Sequence, residues 1–174
     1  MFAANLLSRR DWAVEVFEHS REALAGRGAG IIPHPELFRC LERIDITIDD
    51  TFGVDIPVRA TFDRSGAVIA TLPIRQTLTT WGRLHQLLKS AFPADSYHFG
   101  FSFTRLTQDA SGVTAYFANG AEARGDLLVG ADGIRSSVRA QLLPGAKPAY
   151  AGYVGWRGLA DEKALSPAVH RELF

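Results

Sequence analysis

The sequence has little sulfur chemistry and no excess of charge of either sign. Its single cysteine, Cys40, cannot form an intrachain disulfide, and the first residues show no signal-peptide pattern, so we expect a soluble protein of the cytoplasm. Lysine plus arginine and aspartate plus glutamate number 19 each, and no block of like charge favours nucleic acid as a partner. No apolar run reaches the roughly 18 residues of a membrane span, which predicts no membrane partner.

Metal sites and nucleophilic catalysis also lack their usual patterns. The five histidines have neither metal-ligand spacing nor neighbouring cysteine pairs, so we predict no metal site. No G-x-S-x-G turn is present to carry a nucleophilic serine, and Ser136 and Ser137 stand where hydroxyls cap the free amides of a helix. Hydrolysis by a nucleophilic side chain is therefore disfavoured.

The most informative stretch that is present is DLLVGADGIRSSVR, at residues 126–139. It predicts a short apolar strand, Leu127 to Val129, that runs into a glycine-flanked aspartate and then a helix. Its glycine and polar positions include Gly130, Asp132, Gly133, Ser136 and Arg139. Glycines at a strand end let the backbone approach a phosphate, and a carboxylate there accepts hydrogen bonds from ribose or ribityl hydroxyls. A nucleotide-cofactor site is predicted here.

The stretch resembles the second fingerprint of the flavin-dependent aromatic hydroxylases. That pattern is acidic, three apolar, two small, Asp-Gly, any residue, charged, Ser, any residue, apolar, Arg, and residues 126–139 fill every position. A second stretch, YAGYVGWRG at 150–158, looks most like the hydroxylases of hydroxylated pyridines. The resemblance implies FAD as cofactor, NADH or NADPH as co-substrate, and oxygen-dependent hydroxylation of a small aromatic or heteroaromatic substrate. It leaves the oligomeric state open, with a homodimer as one option.

The resemblance also implies which residues hold the cofactor. Glu18, at the end of a predicted strand Ala13 to Phe17, has the position of the family's ribose-binding glutamate. Arg27 lies in a glycine cluster that reads as a turn, and the resemblance makes it a pyrophosphate contact. Arg139 would either brace the motif or meet the nicotinamide phosphate, and the sequence leaves that choice open. The implied cofactor-binding set is Glu18, Arg27, Gly130, Asp132, Gly133 and Arg139. Because the flavin carries the chemistry in that family, the resemblance implies no covalent catalyst among the side chains of this chain.

The order of predicted elements fits an α/β fold, with a FAD-binding doubly wound Rossmann-like sheet, an antiparallel β-meander and part of a β-rich substrate domain. The periodicity predicts a helix at 1–10, a helix from Ile32, a hairpin within 55–72, a helix in the second half of 77–92, a meander over 97–124 and a strand at 151–158. The resemblance implies a further, substrate-domain strand at 172–174. The predicted domains are 1–50 with 77–148 for FAD, and 51–76 with 149–174 for the substrate.

The phosphate-binding G-x-G-x-x-G that should precede Glu18 does not occur in this sequence. The cluster at 26–30 follows Glu18, and Ile31 stands where the last glycine belongs. The chain thus resembles an oxygenase entered partway through its first βαβ unit, and we expect it to bind FAD weakly or not at all alone. Two alternatives stay open: an inactive truncated remnant, and a FAD- or NAD-binding reductase that is not an oxygenase.

Overall fold

The computed structural model describes residues 1–22, 24, 30–155 and 161–173. Within these ranges the helices are α1 (Phe2–Ser8), α2 (Pro35–Glu42), α3 (Trp81–Ser90), α4 (Ser137–Leu142) and α5 (Pro167–Leu173). The strands are β1 (Val16–Glu18), β2 (Gly30–Ile31), β3 (Val54–Phe62), β4 (Val68–Thr80), β5 (Tyr97–Phe99), β6 (Phe103–Asp109), β7 (Gly112–Phe117) and β8 (Glu122–Gly125). None of the helices described is long and apolar enough to cross a bilayer.

Parallel and antiparallel pairing both occur among the described strands. Strands β1 and β5 are parallel neighbours, with Glu18 opposite Phe99. Strands β2, β4 and β3 form one antiparallel sheet in that order, and β6, β7 and β8 form another. The chain divides into two compact units, Met1–Leu6 with Ala25–Ala91 and Gly155–Phe174, and Leu7–Leu24 with Phe92–Val154.

The first unit has its core between α2, α3 and the segment that links α2 to β3. Pro35 opens α2, where the missing proline N–H costs no hydrogen bond. Thr80 caps α3, because its Oγ1 accepts from the amide of Arg83 at 3.1 Å. The buried side chains of this core are Leu37, Leu41, Ile44, Phe52, Leu84 and Leu88. The helical spacing read from the sequence thus predicted both helices, although α2 begins at Pro35 instead of Ile32.

The predicted hairpin in the first unit is confirmed, and its second strand is longer than expected. Its turn is fixed by Asp63, whose Oδ1 accepts from the amides of Ser65 at 2.7 Å and Ala67 at 3.1 Å. Gly66 has φ of 88°, a conformation that favours glycine. Strand β4 continues to Thr80 instead of ending near Leu72, because its later residues also pair with β3 and β2.

The second unit contains the meander of β6, β7 and β8. Alternate residues of β7, namely Val113, Ala115 and Phe117, are buried, which is the period of a strand with one covered face. The ring of Phe117 lies 4.8 Å from that of Phe17 and 5.2 Å from that of Phe101, measured between centroids. The meander predicted over 97–124 is thus confirmed from Phe103 onward, whereas Tyr97–Phe99 form β5, which pairs in parallel with β1 instead.

Three predicted strands are wrong where the structure describes them. Residues 127–129 pair with no strand in the described part of the chain, and the side chains of Leu127 and Val129 are 56% and 54% exposed. Residues 151–155 also lie outside any strand, and 156–158 lie outside the described residues. Glu172 and Leu173 belong to helix α5 and not to a strand, and Phe174 lies outside the described residues. A β-strand needs a partner for its backbone groups, and apolar residues alone do not supply one.

Candidate functional site

Glu18 lies at the carboxyl end of the parallel pair β1 and β5. Its Oε1 accepts from the Ser20 amide at 2.8 Å and lies 2.8 Å from Nδ1 of His19. The backbone on both sides is also fixed, since the amide of Phe101 donates to the Glu18 carbonyl at 2.9 Å and the amide of Gly100 donates to the Ser20 carbonyl at 2.9 Å. In parallel sheets, ligands bind outside the carboxyl ends of the strands. Glu18 therefore stands at the edge where a ligand of a parallel sheet would lie, and its ribose-binding role remains what the resemblance implies.

Asp132 acts as a cap for helix α4. Its Oδ2 accepts from the amides of Ser137 at 2.6 Å and Val138 at 3.2 Å. The Ser136 side chain accepts from the amide of Arg139 at 2.9 Å, so a second oxygen caps the same turn. The capping role predicted for Ser136 is confirmed. Asp132 therefore shapes the loop as well as standing at the predicted cofactor site.

The charge of Asp132 is stabilised by this arrangement. Partial burial acts to raise the pKa of the Asp132 carboxyl, but hydrogen bonds from Ser136, Val138 and Ser137 outweigh it and lower the pKa below its usual value. Asp132 is consequently ionised at neutral pH. An anionic oxygen at this loop can accept hydrogen bonds from ligand hydroxyls but repels a phosphate.

The two glycines that flank Asp132 meet different requirements. A Cβ on Gly130 would lie 2.8 Å from Cγ1 and 3.0 Å from Cβ of Val138, so Gly130 allows the loop to approach α4 closely. Gly133 has φ of 78°, and no heavy atom lies within 4 Å of where its Cβ would be. The first glycine therefore serves packing, and the second serves a left-handed turn with open space beside it.

Arg139 makes a contact that bears on the choice left open by the sequence. Its Nη2 donates to the carbonyl oxygen of Ile134 at 2.5 Å, across the turn between Gly133 and α4. The guanidinium thus braces the loop from the helix side. A guanidinium has five N–H donors, so this contact leaves the predicted choice between a structural role and the nicotinamide phosphate open.

The structure places five of the six predicted residues in the second unit. Gly130, Asp132, Gly133 and Arg139 form one loop and helix start, and Glu18 lies on β1. Arg27 lies outside the described residues. Within the described ranges, no group of three or more histidine, cysteine, aspartate or glutamate side chains is arranged to hold a metal ion.

Two residues that support this loop were missed by the sequence reading. Val138 makes glycine necessary at position 130, because its side chain occupies the space that a Cβ would take. The sequence signals this contact only by a glycine eight positions before a helical valine, which is not a specific pattern. Gln141 contacts the backbone of Leu106, which is 35 positions away, and no sequence pattern reports such a contact.

Comparison with known proteins gives relatives over nearly the whole chain, although no protein-family model matches. The chain is 32% identical over 157 residues to 2,6-dihydroxypyridine 3-monooxygenase of Paenarthrobacter nicotinovorans, which covers 90% of this chain and 39% of that protein. It is 33% identical over 179 residues to FAD-dependent urate hydroxylase of Klebsiella pneumoniae, covering 95% of this chain and 46% of that protein. The chain thus spans less than half the length of these relatives.

Solved structures give the same result. The 2,6-dihydroxypyridine-3-hydroxylase of Arthrobacter nicotinovorans superposes with a TM-score of 0.78 at 31% identity, covering 87% of this chain and 38% of that one. Klebsiella pneumoniae HpxO in complex with FAD and uric acid gives a TM-score of 0.68 at 28% identity, covering 82% of this chain and 39% of that one. These likenesses confirm the predicted α/β fold class. The chain is therefore similar, over less than half of their length, to proteins named as 2,6-dihydroxypyridine 3-monooxygenase and FAD-dependent urate hydroxylase.

Proposed function

We propose that this chain is part of a FAD-dependent monooxygenase that hydroxylates a small aromatic or heteroaromatic ring, with NADH or NADPH as reductant. The observation that carries the proposal is the complete Asp-Gly fingerprint, built as a doubly capped loop with open space beside Gly133. The relatives named for dihydroxypyridine and urate chemistry support the choice of ring substrate. Bound FAD would supply the redox and oxygen chemistry.

The described residues fit a role in holding FAD. Glu18 offers a carboxylate, 19% exposed, at the carboxyl end of parallel strands, where a ribose diol can donate to it. Asp132 offers a second ionised carboxylate. Beside it, no heavy atom lies within 4 Å of where a Cβ of Gly133 would be, so the loop has open space there. Gly130 and Arg139 act on the loop itself through Val138 and Ile134. We assign Arg27 to the pyrophosphate on the family resemblance alone.

The remaining assignments extend the same proposal. We infer that 1–50 and 77–148 belong to the FAD-binding domain, and that 51–76 and 149–174 belong to the substrate domain. We further propose a cytoplasmic enzyme without nucleic-acid partners, for which a homodimer is one arrangement to test. This division rests on the family resemblance, and the hairpin of β3 and β4 supplies antiparallel strands of the kind proposed for 51–76.

The experiment that tests the proposal begins with the coding DNA on both sides of residues 1–174. Any longer in-frame polypeptide is expressed with FAD, and oxygen consumption and ring hydroxylation are measured with hydroxylated pyridines and NADH or NADPH. We expect oxygen uptake coupled to a hydroxylated product, with the coupling lost in Glu18→Ala. Reduction of a dye without hydroxylated product would favour a reductase. Stop codons close on both sides, with no FAD bound, would leave an inactive remnant.

A further inference from the structure

Gln141, in the last turn of α4, makes two hydrogen bonds with one residue of β6. Its Oε1 accepts from the amide of Leu106 at 2.9 Å, and its Nε2 donates to the Leu106 carbonyl at 2.7 Å. A primary amide carries both a donor and an acceptor, so it can pair with a backbone residue as a neighbouring strand would. We call this pair of hydrogen bonds the amide clamp.

The clamp satisfies backbone groups that β6 would otherwise leave unpaired. Strand β6 is at the end of its sheet, with β7 on one side and no further strand beyond it in the described sheet. Leu106 is 5% exposed, and it stands opposite Ala115 of β7. A buried backbone amide and carbonyl without partners would be costly, so the contact stabilises both elements.

Helix α4 depends on such contacts because it is short. It has six residues, and a helix of that length is not stable in water without tertiary packing. The amides that Asp132 caps belong to Ser137 and Val138, which are the first residues of α4. If α4 leaves β6, these amides lose their helical geometry and Asp132 loses its two donors.

We propose that Gln141 is a positioning residue, whose amide clamp ties α4 to β6 and thereby sets the geometry of the Asp132–Gly133 loop. The role of Gln141 in FAD binding rests on the proposed function, whereas the two hydrogen bonds of the clamp are independent of that function. Gln141 does not meet the cofactor; it acts through α4 on the residues that do. Loss of the clamp therefore lowers FAD affinity although Asp132 and Gly133 themselves are unchanged.

The test compares three variants by hydrogen exchange of the Ser137 and Val138 amides. Gln141→Met keeps the length of the side chain and removes both hydrogen bonds, and Gln86→Met, on the exposed side of α3, is the matched control. We expect Gln141→Met to speed exchange of these amides by a factor of roughly 5–30, the effect of losing about two hydrogen bonds. The control should leave their exchange unchanged.

Gln141→Glu adds a signature that general loss of packing would not give. The carboxylate repels the Leu106 carbonyl, whereas the protonated carboxyl can accept from the Leu106 amide and donate to its carbonyl. This repulsion destabilises the charged form and so raises the pKa of the new carboxyl. The clamp should therefore be present at low pH and be lost as pH rises through that raised pKa. Near pH 4.5, exchange in this variant should approach that of the unaltered chain.

Three other charged groups lie on the two elements. They are Arg139 on α4 and Arg105 and Asp109 on β6, and hydrogen bonds from Ser111 lower the pKa of Asp109. Asp132, whose pKa is also lowered, stays ionised and keeps its cap. A recovery in acid therefore reports the new carboxyl.

Three outcomes would overturn the proposal: unchanged exchange in Gln141→Met, no recovery of Gln141→Glu in acid, or faster exchange that extends equally to the α3 amides. A second experiment titrates FAD into the longest in-frame polypeptide. In that titration Gln141→Met should weaken FAD binding and Gln86→Met should not. Failure of the unaltered protein to bind FAD would reject the proposed function and leave the clamp result standing. Equal FAD affinity with and without the amide would reject its role in binding.

Discussion

Asp132 shows that one carboxylate can hold a loop together and also stand where a ligand is expected. The Asp-Gly pair predicts a ligand contact, and the structure adds that Oδ2 already accepts from the amides of Ser137 and Val138. Ser136 and Arg139 complete the same turn from the helix side. A change at Asp132 therefore acts on the stability of the loop before it acts on any ligand.

Replacement of Asp132 should reveal its capping role through the pH dependence of unfolding. A folded-state pKa below the usual 3.8 means that the carboxylate stabilises the fold above that pH and that this contribution disappears as pH falls through the folded value. Asp132→Asn keeps an acceptor without titrating, and Asp132→Ala should cost about 1 kcal/mol at pH 7. Urea unfolding at pH 7 and pH 3 measures both effects.

Other capping aspartates also titrate in acid, so the informative quantity is the difference between the unaltered chain and Asp132→Asn. Asp50→Asn, at an exposed position, is the control. Equal acid destabilisation of the chain and of Asp132→Asn would contradict the assigned role.

At the scale of elements, α4 is held by close approach on one side and by the amide clamp on the other. Gly130 brings the loop against Val138, and Gln141 ties the last turn to Leu106. The hairpin of β3 and β4, by contrast, carries its own turn chemistry in Asp63 and Gly66. The hairpin could therefore be predicted from local sequence, and the position of α4 could not.

Gly130→Ala should destabilise α4 and the loop before it by about 1–3 kcal/mol, because its Cβ would lie 2.8 Å from Cγ1 of Val138. Val138→Ala removes the clashing methyl groups, so the double variant should recover part of that loss. A double-mutant cycle from urea unfolding measures the coupling. Additive effects of the two substitutions would show that this contact does not set the requirement for glycine.

At the scale of the molecule, the chain resembles solved monooxygenase structures over only part of their length. The chain spans 39% of the dihydroxypyridine monooxygenase and 46% of the urate hydroxylase. Phosphate binding in such folds uses backbone amides of a glycine-rich loop at a helix start. The sequence contains no G-x-G-x-x-G to provide them.

We therefore expect residues 1–174 alone to bind FAD weakly or not at all. Titration of micromolar FAD with the chain, followed by flavin fluorescence, should show no saturable quenching. The control is any longer in-frame polypeptide under the same conditions, which should quench the flavin. A tight, stoichiometric complex of the 174-residue chain would contradict the expectation.

The sequence by itself determined the features that depend on near neighbours. The fingerprint at 126–139, the helical faces of α2 and α3, the turn at Asp63 and the cap at Ser136 all arise from residues a few positions apart. Their hydrogen bonds and periodicities are local, so a pattern of residue types suffices to predict them.

Tertiary structure decided the features that need distant partners. Leu127 to Val129 have the composition of a strand, but pairing with a neighbour makes a strand, and none lies beside them in the described part of the chain. The contact of Gln141 with Leu106 spans 35 positions, and the fit of Gly130 against Val138 depends on how α4 folds back. Both come from packing, which brings together residues that no local pattern relates.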